Sequence, residues 1–204
     1  MSEVLISNDP AIHSPEKLVL APCLIILSGL PATGKTTLGR EMVSHTNAFF
    51  IDIDDVRKKC YPQTAGQKLS LQEEATQMKT SYYQMFQEAR ALLSKRQAVV
   101  LAATFSSPIS HQEAEELAQD LKVPLIVFLL EAPSAVLLER TENRKTITES
   151  DSNVMDSSHL YEVANRFHPM RAGNLTVLDT TCSIDEKVKQ ILVVLENHLA
   201  EATL

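Results

Sequence analysis

Only three cysteines occur in 204 residues, basic side chains are outnumbered by acidic ones, and no long unbroken apolar run is present. Each shortage excludes something. Cys23, Cys60 and Cys182 lie far apart, with no CxxC pair and no histidine at metal-ligand spacing. A disulfide framework or a cysteine-based metal site is therefore not expected, and buried apolar thiols in a reducing compartment are. Nineteen basic against 26 acidic residues leave a net charge of −7. A chain with pI near 5.4 is poorly suited to following a nucleic-acid backbone, which calls for clustered basic residues. No apolar run reaches the roughly 18 residues needed to cross a bilayer. The stretch from Leu18 to Leu27 is broken by Pro22 and preceded by Glu3, Asp9 and Glu16, so it does not read as a signal peptide. The expectation is a soluble, cytoplasmic protein with neither a membrane nor a nucleic acid as partner; nothing in the pattern speaks to oligomeric state.

What is present is globular. Apolar residues make up 44% and charged residues 22%, which excludes a disordered tail, a collagen-like chain or a coiled-coil rod. At 22.6 kDa the chain can bury roughly 70% of its unfolded surface. Residues 1–17, with Asn8-Asp9-Pro10 and Ser14-Pro15-Glu16, read as an irregular lead-in, and residues 18–204 as one domain without repeat or linker. Five short apolar runs, Cys23–Leu27, Ala48–Ile53, Ala98–Ala103, Pro124–Leu130 and Asn174–Leu178, read as strands. They are apolar at successive positions, which suits a parallel sheet covered on both faces. Between Leu69 and Leu93 the set Leu71, Ala75, Met78, Tyr82, Met85, Ala89 and Leu92 steps by three and four, predicting a long amphipathic helix. Further helices are expected over 35–45, 108–121, 133–142, 156–167 and 184–200, giving an α/β doubly wound layer of five parallel strands with helices on both faces.

Directly after the first strand comes Gly29-Leu30-Pro31-Ala32-Thr33-Gly34-Lys35-Thr36-Thr37. This satisfies the phosphate-loop pattern G-x-x-x-x-G-K-[ST] in its strand–loop–helix setting. Gly29 and Gly34 permit positive φ, so that successive N–H groups can face phosphate oxygens. Lys35 supplies a point charge for the β and γ phosphates and the Thr36 hydroxyl a ligand for Mg²⁺, while the helix beginning there adds its dipole. ATP and Mg²⁺ are the expected cofactors. After the second strand the chain reads Asp52-Ile53-Asp54-Asp55-Val56-Arg57. At the carboxyl edge of a sheet, D-x-x-R suits a base and an anion clamp; the alternative is that Asp54 or Asp55 caps a short helix running to Tyr61.

The phosphate loop, the D-x-x-R, Ala103-Thr104-Phe105 after strand three and Phe167-His168-Pro169 near the end together resemble the P-loop kinases, in particular the branch near polynucleotide kinase, zeta toxin and chloramphenicol phosphotransferase. The resemblance implies that strand three lies between strands one and two. It implies that Asp54 takes the proton of an acceptor hydroxyl and that Arg57 holds an anionic part of the acceptor. Arg140 and Arg144 correspond to lid arginines that close on the ATP phosphates, with the lid at about 140–155. Spaced i, i+4 at the end of a predicted helix, both can project toward one target, and the polar stretch Lys145 to Asn153 could close over a nucleotide.

One departure stands out. The family's aspartate before Ala-Thr-Phe is Ala102 here, and His111 stands where an arginine is common. Metal support then falls to Thr36, the phosphates and Asp52. The expectation is an ATP-dependent kinase acting on a hydroxyl of a small polar molecule. Two alternatives are a nucleotide-binding switch or bare ATPase, motivated by Ala102, and a polynucleotide 5′-hydroxyl kinase, motivated by the resemblance. The loop Pro62–Gly66 and the 69–93 helix are expected to wall the acceptor pocket.

Overall fold

The computed structural model describes residues 17–64, 67, 69–147 and 157–201. Most of the expected lead-in, the end of the Pro62–Gly66 loop and the lid from residue 148 onward lie outside these described residues. In chain order the elements are β1 (Leu24–Gly29), α1 (Lys35–Ser44), β2 (Phe49–Asp52), α2 (Ile53–Cys60), a short 3-10 turn (Pro62–Thr64) and α3 (Leu71–Leu93). There follow β3 (Val99–Ala102), α4 (Pro108–Leu121), β4 (Leu125–Glu131), α5 (Ser134–Ile147), α6 (Ser157–Arg166), β5 (Asn174–Asp179) and α7 (Ile184–Glu201). The strands form one five-stranded sheet in the order β2-β3-β1-β4-β5, every neighbouring pair parallel. Strand three lies between one and two, as expected.

Parallel neighbours require crossovers, and the crossover helices cover both faces. Successive residues of β1 therefore enter different layers. Leu24 and Ile26 pack with Met85, Phe86 and Ala89 of α3 and with Ala114 and Leu117 of α4. Ile25 and Leu27 pack with Leu38 and Met42 of α1 and with Ile191 and Leu195 of α7. This double burial explains why β1, β3 and β4 read as continuous apolar runs. The edge strands depart from it: β2 buries only Ile51 and Asp52, and β5 only Leu178. With a neighbour on one side only, an edge strand leaves part of each face to solvent.

Three differences from the sequence expectation bear on the site. The long helix begins at Leu71, where Ser70 and Glu73 form a reciprocal capping box. Its apolar stripe also changes: Leu71 and Ala75 are exposed, whereas Gln77 and Ser81 are buried. That first half packs on α2 and the Pro62–Thr64 turn rather than on the sheet, Gln77 donating to the Thr64 hydroxyl at 2.9 Å. Second, α5 continues to Ile147, five residues past the expected end, so Arg140, Arg144 and Lys145 are all helical. Third, the cap of α2 is Asp52, whose side chain accepts from the Asp54 N–H, and not Asp54 or Asp55. Among the described residues no helix is long and apolar enough to cross a membrane.

Candidate functional site

The carboxyl edge of the sheet gathers the functional groups, and β1 delivers the first of them. At Gly29 φ is +146°, and a Cβ there would stand 2.4 Å from the Leu130 carbonyl oxygen, so β1 and β4 can close on each other only around a glycine. Gly34 has φ +91° and caps α1 without any side-chain hydrogen bond. A Cβ at Gly34 would meet nothing within 4 Å: the helix N-terminus opens onto a cradle. Lys35 folds over it, Nζ donating to the Gly29 and Leu30 carbonyls at 2.9 and 2.8 Å. The Thr33 hydroxyl also donates to Leu30, at 2.8 Å. With Pro31 and Ala32 buried beneath it, the loop is a preformed ring of backbone around one ammonium group.

Thr36 and Asp52 meet next to the cradle. The Thr36 hydroxyl donates to Asp52 Oδ2 at 2.6 Å, and Asp52 Oδ1 accepts from the Asp54 N–H at 2.9 Å. Asp52 is 5% exposed. Burial pushes its carboxyl above the ordinary value, against the Thr36 and Asp54 hydrogen bonds, which lower it. Asp52 is in register with Ala102, and Ala102 with Leu27, so the position that lacks an aspartate is flanked by one on the adjacent strand. These groups fit a nucleotide and Mg²⁺: backbone N–H groups and a lysine suit phosphate, while a hydroxyl and a carboxylate oxygen suit a hard cation that keeps phosphate and water ligands. Among the described residues no group of three or more His, Cys, Asp and Glu could hold a metal by itself.

On the β2–β3 side, α2 separates its two further aspartates. Asp55 turns toward Arg40 on α1, at 3.5 Å. Asp54 turns toward Arg57, Oδ1 to Nη2 3.1 Å, with side chains 60% and 12% exposed. Arg57 Nη1 also lies 3.6 Å from the Met78 sulfur on α3, which brings α3 beside this pair. Behind them stands a group that sequence reasoning assigned to the core. Tyr82 Oη accepts the Phe105 N–H at 3.0 Å, and His111 Nε2 meets the Phe105 carbonyl at 2.6 Å, which requires the proton on Nε2. Phe105 is fully buried and has φ +50°, a costly conformation for an aromatic residue. Its ring packs edge-on against Tyr82 at 5.6 Å. The preceding carbonyl, Thr104, accepts from the Ser28 hydroxyl at 3.0 Å, and Ser106 accepts the His168 N–H at 3.4 Å. The loop after β3 thus ties the phosphate loop to α3, α4 and the Phe167–Pro169 segment. Burial raises the Tyr82 hydroxyl, and the nearby Asp54 and Glu113 charges add to it.

On the β4–β5 side Arg140 reaches back from α5. It donates to the Thr180 carbonyl at 2.6 Å, to the Thr180 hydroxyl at 3.1 Å, and at 3.5 Å to the Ala32 carbonyl of the phosphate loop. Lys187 of α7 donates to the carbonyls of Cys182 and Thr180 at 3.0 and 3.3 Å. Between them opens a cavity of about 340 Å³ lined by Thr33, Gly34, Thr37, Arg140, Ile184 and Lys187. The Arg144 side chain lies outside the described residues, so of the two arginines expected to close on the phosphates only Arg140 is seen beside the loop. Thr180 and Lys187 were missed by sequence reasoning, and their only signal is their position after the last strand. A larger cavity of about 540 Å³, lined in part by Lys122, Arg171 and Gly173, opens at the opposite edge of the sheet.

A family model described as an AAA domain matches residues 24–169. Adenylate kinase 8 of Danio rerio is 30% identical over 122 residues, which is 59% of this chain and 24% of that protein; the chain thus spans about a quarter of that relative's length. Among solved structures, a candidate kinase from Chloroflexus aurantiacus superposes with a TM-score of 0.70 at 22% identity, over 87% of this chain and 98% of the other. A gluconokinase from Sinorhizobium meliloti does so with 0.59 at 18%, over 89% and 95%. An APS kinase from Mycobacterium tuberculosis, in complex with AMPPNP and APS, does so with 0.60 at 16%, over 87% and 99%. At these identities the structural likeness is one of fold.

Proposed function

The chain belongs to the AAA-domain family of P-loop kinases, and from that premise we propose that it transfers the γ-phosphoryl group of ATP, with Mg²⁺, to a hydroxyl of a small polar acceptor. The observation that carries this reading is the sequence of groups along one sheet edge: Lys35 on the cradle, Thr36 bonded to Asp52, and Asp54 bonded to Arg57. In this reading backbone N–H groups from Gly29 to Thr37 bind the phosphates. Lys35 exchanges its bonds to the Gly29 and Leu30 carbonyls for bonds to phosphate oxygen. Thr36 and Asp52 hold the Mg²⁺ that, when bound, offsets charge on the phosphates. Asp54, the more exposed carboxylate, orients the acceptor hydroxyl and takes its proton at Oδ as attack proceeds. Arg57 steadies Asp54 and an anionic part of the acceptor, and Arg140 and Arg144 add positive charge at the transferring group.

A second reading comes from the adenylate kinase relative, in which the acceptor is a nucleoside monophosphate. The exposed Asp54 carboxylate counts against it, because an ionised phosphate oxygen has no proton for a base to take and is repelled by a carboxylate beside it. An ADP-release screen with Mg-ATP tests both. Polyols, sugars, nucleosides, aminoglycoside-like and phenicol-like alcohols and 5′-hydroxyl oligonucleotides are compared with nucleoside monophosphates. Turnover with a non-phosphorylated alcohol supports the first reading, and turnover with monophosphates alone overturns it in favour of the second.

A further inference from the structure

One strip of α3 climbs from the core to the acceptor side of the sheet edge. Phe86 is buried, and its ring lies 6.3 Å from that of Tyr82. Tyr82, one turn earlier, is half-buried. A further turn earlier stands Met78, whose sulfur touches Arg57, the partner of Asp54. Residues four apart share a helix face, so the face that meets the Asp54–Arg57 pair also carries the Tyr82 hydroxyl. That hydroxyl is fixed in place: its oxygen accepts the N–H of Phe105, a buried residue held at φ +50°. Its own proton meets no acceptor among the described residues, and no hydrogen bond joins it to Asp54. Burial and the nearby charges of Asp54 and Glu113 raise the hydroxyl, so it keeps that proton at neutral pH. A phenol that already accepts a backbone N–H is polarised toward donating, and a donor shielded from water is costly until something accepts from it.

We propose that Tyr82 is a specificity-determining residue of the acceptor site. It donates its O–H to a second oxygen of the acceptor while the attacked hydroxyl lies against Asp54, so the favoured acceptors are polyols or sugars rather than simple alcohols. The inference rests on the reading of Asp54 as the group that takes the acceptor proton. The two groups make opposite demands. An ionised Asp54 only accepts, so it selects a hydroxyl that can give up a proton. Tyr82, with the Phe105 N–H on its oxygen, selects an oxygen that accepts. A polyol carries both on neighbouring carbons, and a monohydric alcohol leaves the phenol unmatched.

ADP release by the full chain tests this at saturating Mg-ATP, which also stabilises a weakened variant by mass action. The probes are D-glucose, D-gluconate, D-ribose, myo-inositol and adenosine, each beside its monodeoxy analogues, with ethanol and benzyl alcohol as monohydric alcohols. For the polyol turned over best, loss of one particular hydroxyl other than the phosphorylated one should lower kcat/KM by about 5- to 10-fold, the worth of one hydrogen bond. In Tyr82→Phe, which cannot make that bond, the penalty should shrink to within about 2-fold of unity. The ratio of polyol to deoxy analogue within one preparation is the readout. Strain in the loop after β3 acts on both acceptors alike, so a merely structural role leaves the ratio unmoved. Monohydric alcohols turned over as well as polyols, no deoxy analogue discriminated against by the unmodified chain, or a ratio unmoved in Tyr82→Phe overturns the Tyr82 assignment and leaves the kinase reading intact. Turnover of no alcohol at all overturns both.

Discussion

The two sides of the sheet edge are built differently. On the β1 side, nine consecutive residues make the cradle, and their partners are mostly one another: Lys35 bonds to Gly29 and Leu30, and Thr33 to Leu30. On the β2–β3 side nothing is contiguous. Asp54 and Arg57 come from α2, Met78 and Tyr82 from α3, Phe105 from the loop after β3 and His111 from α4. A local arrangement can be specified by a short motif and carried between proteins unchanged. An assembled one is set by packing, and each element can alter it. The difference explains how one phosphate-binding device serves many acceptors.

Breaking each side in turn should give distinct signatures. Asp54→Asn keeps size and removes charge, and acceptor phosphorylation is expected to fall roughly 10²- to 10⁴-fold, the usual worth of a positioned base, while Mg-ATP binding stays within a few-fold. Steady-state kinetics beside calorimetry separates the two, and turnover near that of the unmodified chain would move the role to another carboxylate. Lys35→Ala acts on the other side: the rise in Tm given by Mg-ATP through mass action should largely vanish, and turnover should drop by about 10²- to 10³-fold, as when one charge-stabilising donor is removed.

Smaller effects sharpen the contrast. Tyr82→Phe leaves the buried Phe105 N–H without an acceptor, so stability should fall by about 1–3 kcal/mol in urea unfolding, with the ATP-induced Tm rise preserved. A loss of that rise would mean that the acceptor side supports the cradle. The smallest effect is expected at Asp52→Asn. Burial raises the Asp52 carboxyl in the folded chain. The folded state therefore binds a proton more readily than the unfolded one, and stability falls as pH rises from the ordinary carboxylate value through the folded one. Without nucleotide, Asp52→Asn should show a slightly higher Tm at pH 7, and the gain should fade as pH drops toward about 4. A gain constant with pH would assign it to hydrogen bonding instead.

The same contrast decides what could be read in advance. Strand runs and cradle were legible because each rests on contiguous residues: a doubly buried strand is apolar throughout, and a phosphate loop is one word in the sequence, whereas the place of strand three came only through the family resemblance. Asp54 and Arg57 were legible as a pair because a helix turn joins them. Tyr82 was not, since a tyrosine on an apolar stripe reads as core until Phe105 brings an N–H to its hydroxyl. Lys187 was hidden in the same way among the charged residues of α7. The stripe of α3 misled at Leu71 and Ala75 because the first half of the helix turns Gln77 and Ser81 inward, with Gln77 bonded to Thr64 in the Pro62–Thr64 turn.

The strand order has a consequence for how this chain is made. β1 is the first strand among the described residues, yet its partners are β3 and β4, with Leu24 beside Val99 and Leu125. During synthesis the central strand therefore stays unpaired until β3, at Val99–Ala102, has been made, and such long-range pairing is slow. The fit of Gly29 against the Leu130 carbonyl is likewise absent until β4 arrives. The contact that only a glycine at position 29 permits therefore forms late, when β4 docks on β1.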